Sequence, residues 1–173
     1  MGSRVEAASL WLMPEGKTGE RLGAWIDRLA ERLRTERFAP HVTLLSGISG
    51  DEADLVEATR RAAAALAPVP VHLGTIEGRD EHFRCLFVRA VEPGALATAH
   101  EKAAAAFGRA PDPAFLPHLS LVYGTLPAER KRDLAREAGS VLGVRFEARS
   151  LRLWSTGGAV ATWREIAAID LGA

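Results

Sequence analysis

One cysteine, Cys85, stands among 173 residues, so no disulfide can close within the chain, and a thiolate zinc site would lack its second sulfur. Neither charge sign is in excess, with 22 Lys+Arg against 22 Asp+Glu. That balance argues against capture of long nucleic acid on a broad basic face, though not against a small phosphate held locally. Long apolar runs are missing too. The stretch from Met1 to Met13 carries Arg4, Glu6 and only a short apolar run, too short for a signal-peptide core or a membrane span. A soluble, cytoplasmic, monomeric protein without a membrane or fixed protein partner is the expectation. No segment is low in complexity. Hydrophobic residues make up 47% of the chain, enough for a core without disulfides, and a single domain over 1–173 follows.

Short apolar runs alternate with amphipathic, Ala-rich stretches. Ala8 to Met13 is apolar and closed by Pro14, which predicts a strand. Leu22, Trp25, Ile26, Leu29 and Leu33 recur at helical spacing within 18–36. His41 to Leu45 predicts a strand stopped by Ser46-Gly47, and Asp51 can cap a helix that runs to Leu66 and Pro68. Strands are expected over 71–77 and 84–91. In the second half a helix over 93–107 leads into a three-proline loop at 108–117. There follow a strand over 118–123 ended by Gly124, a helix over 127–142, and strands over 144–155 and 161–171. Each half thus has a helix, a Pro-containing loop, a short His-containing strand and another helix. Paired strands without strict βαβ alternation favour an antiparallel α+β fold.

Two tetrapeptides carry the chemistry: His41-Val42-Thr43-Leu44 and His118-Leu119-Ser120-Leu121. On a strand, residues i and i+2 share a face. His41 and Thr43 therefore point together while Val42 and Leu44 enter the core, and His118 with Ser120 repeats the pattern. Pro40 and Pro117 precede the histidines and favour extended backbone before them. Imidazole exchanges protons near neutral pH, so two of them can serve as base and acid on opposite sides of a phosphorus. A hydroxyl two residues along can donate to a non-bridging oxygen where charge accumulates. No carboxylate or thiol ligand stands in either motif, so a metal site is not expected and no cofactor is implied. His72 at a strand start, His82 in a turn and His100 in an Ala-rich helix read as surface or boundary residues.

With these residues the chain resembles the two-histidine phosphoesterase superfamily and, within it, the cyclic phosphodiesterase branch. The resemblance runs from Ser9-Leu10-Trp11-Leu12-Met13-Pro14 through both motifs, Pro40 to Gly47 and Pro117 to Gly124. It continues to Leu153-Trp154-Ser155-Thr156 and Trp163-Arg164-Glu165-Ile166-Ala167. It implies a bilobal, duplicated α+β fold, with two antiparallel sheets flanked by helices and a central cleft. It also implies opening of a cyclic phosphate by water, on nucleoside 2′,3′-cyclic phosphates (leaving a 2′-phosphate) or ADP-ribose 1″,2″-cyclic phosphate, without metal or cofactor. His41 and His118 would be the acid–base pair, and Thr43 and Ser120 would hold phosphate oxygens. Tyr123 matches an aromatic lining the cleft, with Trp11 and Phe83 as further stacking candidates. Strict alternation puts Tyr123 on the side of Leu119 and Leu121, so it reaches the cleft only where the strand bends or ends. Disulfides found in parts of that family cannot form around the lone Cys85, which reads as a small buried hydrophobe. Two alternatives remain at this point: an RNA 2′,3′-cyclic phosphodiesterase related to 2′-5′ RNA ligases and acting on RNA ends, and a nucleotide-binding module without turnover.

Overall fold

The structure, a computed structural model, describes residues 3–172, so residues 1, 2 and 173 of the expected domain lie outside the described residues. The chain begins with β1 (Arg4–Leu12), α1 (Gly16–Leu33), β2 (Val42–Asp51) and α2 (Glu52–Ala64). Next come β3 (Val69–Glu77), a 3-10 turn at His82–Arg84, β4 (Leu86–Val91) and α3 (Gly94–Ala106). Then follow β5 (His118–Val122), α4 (Ala128–Glu137), β6 (Arg145–Ala148), β7 (Ser150–Ser155) and β8 (Arg164–Asp170). The strands lie in the order β6-β3-β4-β5-β2-β1-β7-β8, and every neighbouring pair is antiparallel. The α+β architecture is as expected. In place of two separate sheets the strands form one eight-stranded sheet, whose halves β6-β3-β4-β5 and β2-β1-β7-β8 join through one registered pair, Val42 and Leu119.

Core packing follows the alternation of the motif strands. Leu10, Leu12, Val42, Leu44, Leu119 and Leu121 are all buried and belong to one continuous apolar cluster that also holds Leu22, Ile26 and Leu29 of α1. Truncating any of the buried leucines to Ala would cost about 2–5 kcal/mol. Asp51 caps α2 as expected, its Oδ1 accepting from the Ala53 N–H at 3.2 Å.

Four further expectations need correction. Ser46-Gly47 does not stop the strand. Gly47 takes φ +65° and β2 continues to Asp51, because a bulge there absorbs an extra residue against β1: Leu10 faces Leu45 while Ala8 faces Ile48. The run 144–155 is two strands, since β6 pairs with β3 whereas β7 pairs with β1, so the chain changes sheet halves at Arg149. The helix expected over 127–142 ends at Glu137 and tightens into a 3-10 turn at Ala138–Val141 around Gly139. His100 is not at the surface. It is buried between β2 and the 108–117 loop, donating Nδ1–H to the Leu44 carbonyl at 2.7 Å and accepting from the Asp112 N–H on Nε2 at 2.8 Å.

Candidate active site

The pairing of Val42 with Leu119 fixes the site. Continued one residue either way, an antiparallel register sets His41 across from Ser120 and Thr43 across from His118. Facing residues on one side of a sheet bring their Cβ atoms to roughly 4.5–5.5 Å. The two motifs therefore interleave into one patch of two imidazoles and two hydroxyls, with Val42 and Leu119 beneath it in the core. Alternation along the neighbouring strands completes the face. Trp11 lies opposite Thr43, Ser9 opposite Trp154, and Phe87 opposite Ser120.

Both histidines are oriented by the same device. His41 donates Nδ1–H to the Ala39 carbonyl at 2.6 Å, and His118 donates Nδ1–H to the Leu116 carbonyl at 2.7 Å. In each case the acceptor is two residues back, across the proline, whose fixed φ holds that carbonyl in place. With Nδ1 occupied as a donor, Nε2 is the ring nitrogen left to exchange a proton. Both rings line a cleft of about 460 Å³, a size suited to a small ligand.

The surroundings differ. His41 is 6% exposed and stacks on Trp11 with centroids 3.6 Å apart and planes 9° from parallel. Burial is the main cause that lowers its pKa to about 4, opposed by the Ala39 hydrogen bond and reinforced by His118. His118 is half-buried and meets the Phe87 ring edge-on at 4.9 Å. Its pKa is lowered chiefly by burial, against the Leu116 hydrogen bond, with Arg84 and Arg79 lowering it further and Glu81 raising it.

The hydroxyls differ as well. Among the described residues Thr43 makes no side-chain hydrogen bond, and it lines the cleft. Ser120 donates its proton to the Phe83 carbonyl at 2.9 Å, which ties β5 to the 82–84 turn. Tyr123 does reach the cleft, because β5 ends at Val122 and Gly124 departs from strand geometry at φ +134°. Its hydroxyl stands 3.5 Å from His41 Nε2, and burial, helped by Glu36, pushes its pKa well up, so it stays protonated and is a donor. Phe38 stacks on it at 3.7 Å. Phe83 is 52% exposed at the cleft mouth, 5.0 Å from Tyr123. Trp11 is 2% exposed, with one face against His41 and a second stacking contact to Trp154 at 4.6 Å. That placement suits it to hold the imidazole more than to meet a ligand.

Residues 18–159 match the 2′-5′ RNA ligase superfamily. The chain belongs to that superfamily. With it comes the class of enzyme, a phosphodiesterase of the two-histidine type. A relative named cyclic phosphodiesterase, from Arabidopsis thaliana, is 24% identical over 97% of this chain and 97% of its own length. Among solved structures, Escherichia coli LigT superposes with a TM-score of 0.68 at 12% identity, covering 98% of this chain and 99% of that one. TT0787 of Thermus thermophilus does so at 0.65 and 18%, covering 96% and 98%. These two likenesses concern the fold.

Within this superfamily chain, several cleft residues escaped the sequence reading. Trp163 lines the cleft 5.9 Å from Phe83 and 5.8 Å from Trp11; Trp163 sits in the C-terminal segment of the resemblance, yet nothing in its spacing marks it as a cleft residue. Arg84 and Arg109 line it too, as do Ser9 and Thr156, whose hydroxyls lie 3.1 Å apart. Ser9 shares the alternation of β1 with Trp11, whereas Trp163, Arg84, Arg109 and Thr156 arrive from turns and loops that have no period. His72 and His82 stay outside the cleft, each beside a carboxylate, Glu92 at 3.4 Å and Glu36 at 2.9 Å. Cys85 is buried, as expected, and burial pushes its thiol pKa up. Among the described residues no group of three or more His, Cys, Asp or Glu is placed to share a metal, and no helix is long and apolar enough to cross a membrane.

Proposed function

We propose that the enzyme opens nucleoside 2′,3′-cyclic phosphates to nucleoside 2′-phosphates, with His41 and His118 as the acid–base pair and no metal in the reaction. The supporting observation is the shared tether. Two imidazoles in one cleft each have Nδ1 bound to a backbone carbonyl, which leaves Nε2 for proton exchange; on His41 that nitrogen meets only the long Tyr123 hydroxyl contact at 3.5 Å. An in-line displacement at phosphorus needs a base on the attacking water and an acid on the departing sugar oxygen, and this pair supplies both.

His41 is assigned as base. It is the more deeply buried ring and resists protonation, so it is neutral in the free enzyme above about pH 4. His118, less buried, more readily carries the proton that passes to the 3′ oxygen as the P–O3′ bond breaks. Water loses its proton to His41 Nε2 as its oxygen bonds to phosphorus, and the 2′ ester stays intact. Thr43 and Ser120 donate to the non-bridging oxygens, Ser120 after exchanging the Phe83 carbonyl for the phosphate. The Tyr123 hydroxyl donates at the same centre. Phe83, exposed at the mouth, offers a face for the base or sugar, and Trp11 backs His41.

A neutral base and a protonated acid give a bell-shaped kcat/KM profile. Its acid limb lies near pH 4, from His41, and its alkaline limb lies below the ordinary imidazole value of 6.5, from His118. The test is hydrolysis of 2′,3′-cyclic AMP in EDTA, with the product resolved chromatographically. Turnover to 2′-AMP is expected. Release of 3′-AMP would reverse the assigned leaving oxygen, and turnover that begins only on adding a divalent metal would overturn the mechanism. ADP-ribose 1″,2″-cyclic phosphate, with the same strained diester, is the second substrate to try.

A further inference from the structure

Arg109 stands in the cleft with no counter-ion among the described residues. The α3 helix ends in a Schellman motif that fixes its backbone: the Gly108 N–H bonds the Ala105 carbonyl at 3.0 Å, and the Arg109 N–H bonds the Ala104 carbonyl at 2.9 Å. Gly108 occupies the left-handed position at φ +65°, where a side chain would be strained. From there the Arg109 side chain reaches the β2 bulge and donates from Nη1 to the Ser46 carbonyl at 2.7 Å and, more weakly, to the Gly47 carbonyl at 3.4 Å. The bulge thus explains one nitrogen of the guanidinium. It leaves Nε and Nη2 unspent, and among the described residues no carboxylate oxygen lies within 4 Å of them.

Arg84, the other cleft arginine, is different. It lies on the 82–84 turn and is neutralised by Glu81 at 2.7 Å. Asp112 lines the cleft as well, but its Oδ1 accepts from the Ala114 N–H at 2.8 Å and, among the described residues, it forms no ion pair with Arg109, so Arg109 is the cleft arginine left unpaired. An arginine already held by backbone at one nitrogen loses little further freedom on binding, and its free fork matches a phosphate's oxygens.

We propose that Arg109 binds a second phosphate carried by the substrate, apart from the cyclic one at His41 and His118. This rests on the phosphodiesterase reading of the cleft. It narrows the preferred substrates to cyclic phosphates with another phosphate group, borne on the 5′ oxygen of a small nucleotide or as the next diester of an oligonucleotide.

The test compares kcat/KM for 2′,3′-cyclic AMP, its 5′-phosphorylated form, and the dinucleotide ending in the same cyclic phosphate. Wild type is set beside Arg109→Ala and Arg109→Lys. Wild type should favour one or both substrates with a second phosphate by about twofold to fivefold, the range of an exposed ion pair. Arg109→Ala should bring the ratio towards one, and Arg109→Lys, which keeps the charge, should retain part of it. The arm that shows the preference identifies the source of the phosphate. A wild-type ratio near one, a ratio unchanged in Arg109→Ala, or equal losses on all three substrates would overturn the proposal and leave the phosphodiesterase reading intact. Failure of wild type to turn over any of the three would overturn both.

Discussion

The two motifs share a tether and differ in almost everything around it. His41 is enclosed: Trp11 covers a face of the ring, Tyr123 reaches its Nε2, and Phe38 approaches edge-on at 6.3 Å. The Thr43 hydroxyl beside it has no hydrogen-bond partner among the described residues. His118 is more open and lies near the Arg84–Glu81 pair, and its partner Ser120 is tied to the Phe83 carbonyl. Duplicated geometry has thus been placed in two solvents. Where the backbone is repeated the rings have the same tautomer, and where the packing is not they differ in readiness to hold a proton. A symmetric site would give two interchangeable histidines; this one separates a dry imidazole from a wetter one.

The largest effect should come from breaking the pair. His41→Ala and His118→Ala should each reduce kcat on 2′,3′-cyclic AMP by about a thousandfold, as for loss of a general acid or base. Retention of a tenth of the activity in either variant would remove that histidine from the chemistry. The hydroxyls should sharpen the contrast. Thr43→Ala should cost about a hundredfold in kcat and Ser120→Ala about tenfold, because Ser120 must first leave Phe83 to serve the phosphate. The reverse order in steady-state kinetics would mean that the Phe83 bond does not compete with substrate.

Enclosure of His41 also has a consequence for stability. Its folded pKa of about 4 lies below the ordinary 6.5, so between these values the unfolded state binds more protons. The contribution is fully present above pH 6.5 and fades as pH falls towards 4, by on the order of 3 kcal/mol. Denaturant unfolding across that window should show the loss, and His41→Ala should flatten it. An equally steep decline in the variant would assign the acid sensitivity elsewhere.

Much of the site was legible in the sequence because it lies on strands. Alternation alone puts His41 with Thr43 and His118 with Ser120, and sends Val42, Leu44, Leu119 and Leu121 into the core. What alternation cannot give is register. That Val42 faces Leu119, so that the four polar groups interleave, depends on two edges meeting in the middle of the sheet. The crossing at Arg149 was hidden for a like reason, since two short strands in succession look the same as one long one until their partners are known. Tyr123 was legible only in part: its identity marked it, whereas its direction depended on β5 ending one residue earlier. Arg109 and Trp163 are placed by turns that carry no period. His100 shows the opposite error, a polar residue in an Ala-rich helix that is buried because both ring nitrogens find backbone partners.

Nitrogen-15 NMR titration of the two imidazoles tests the account most directly, since it reads tautomer and pKa together. The prediction is Nδ1–H for both neutral rings, with His41 titrating near 4 and His118 lowered by burial from the ordinary imidazole value. An Nε2–H tautomer in either ring, or a His41 that takes its proton before His118 as pH falls, would contradict the division of labour between the two motifs.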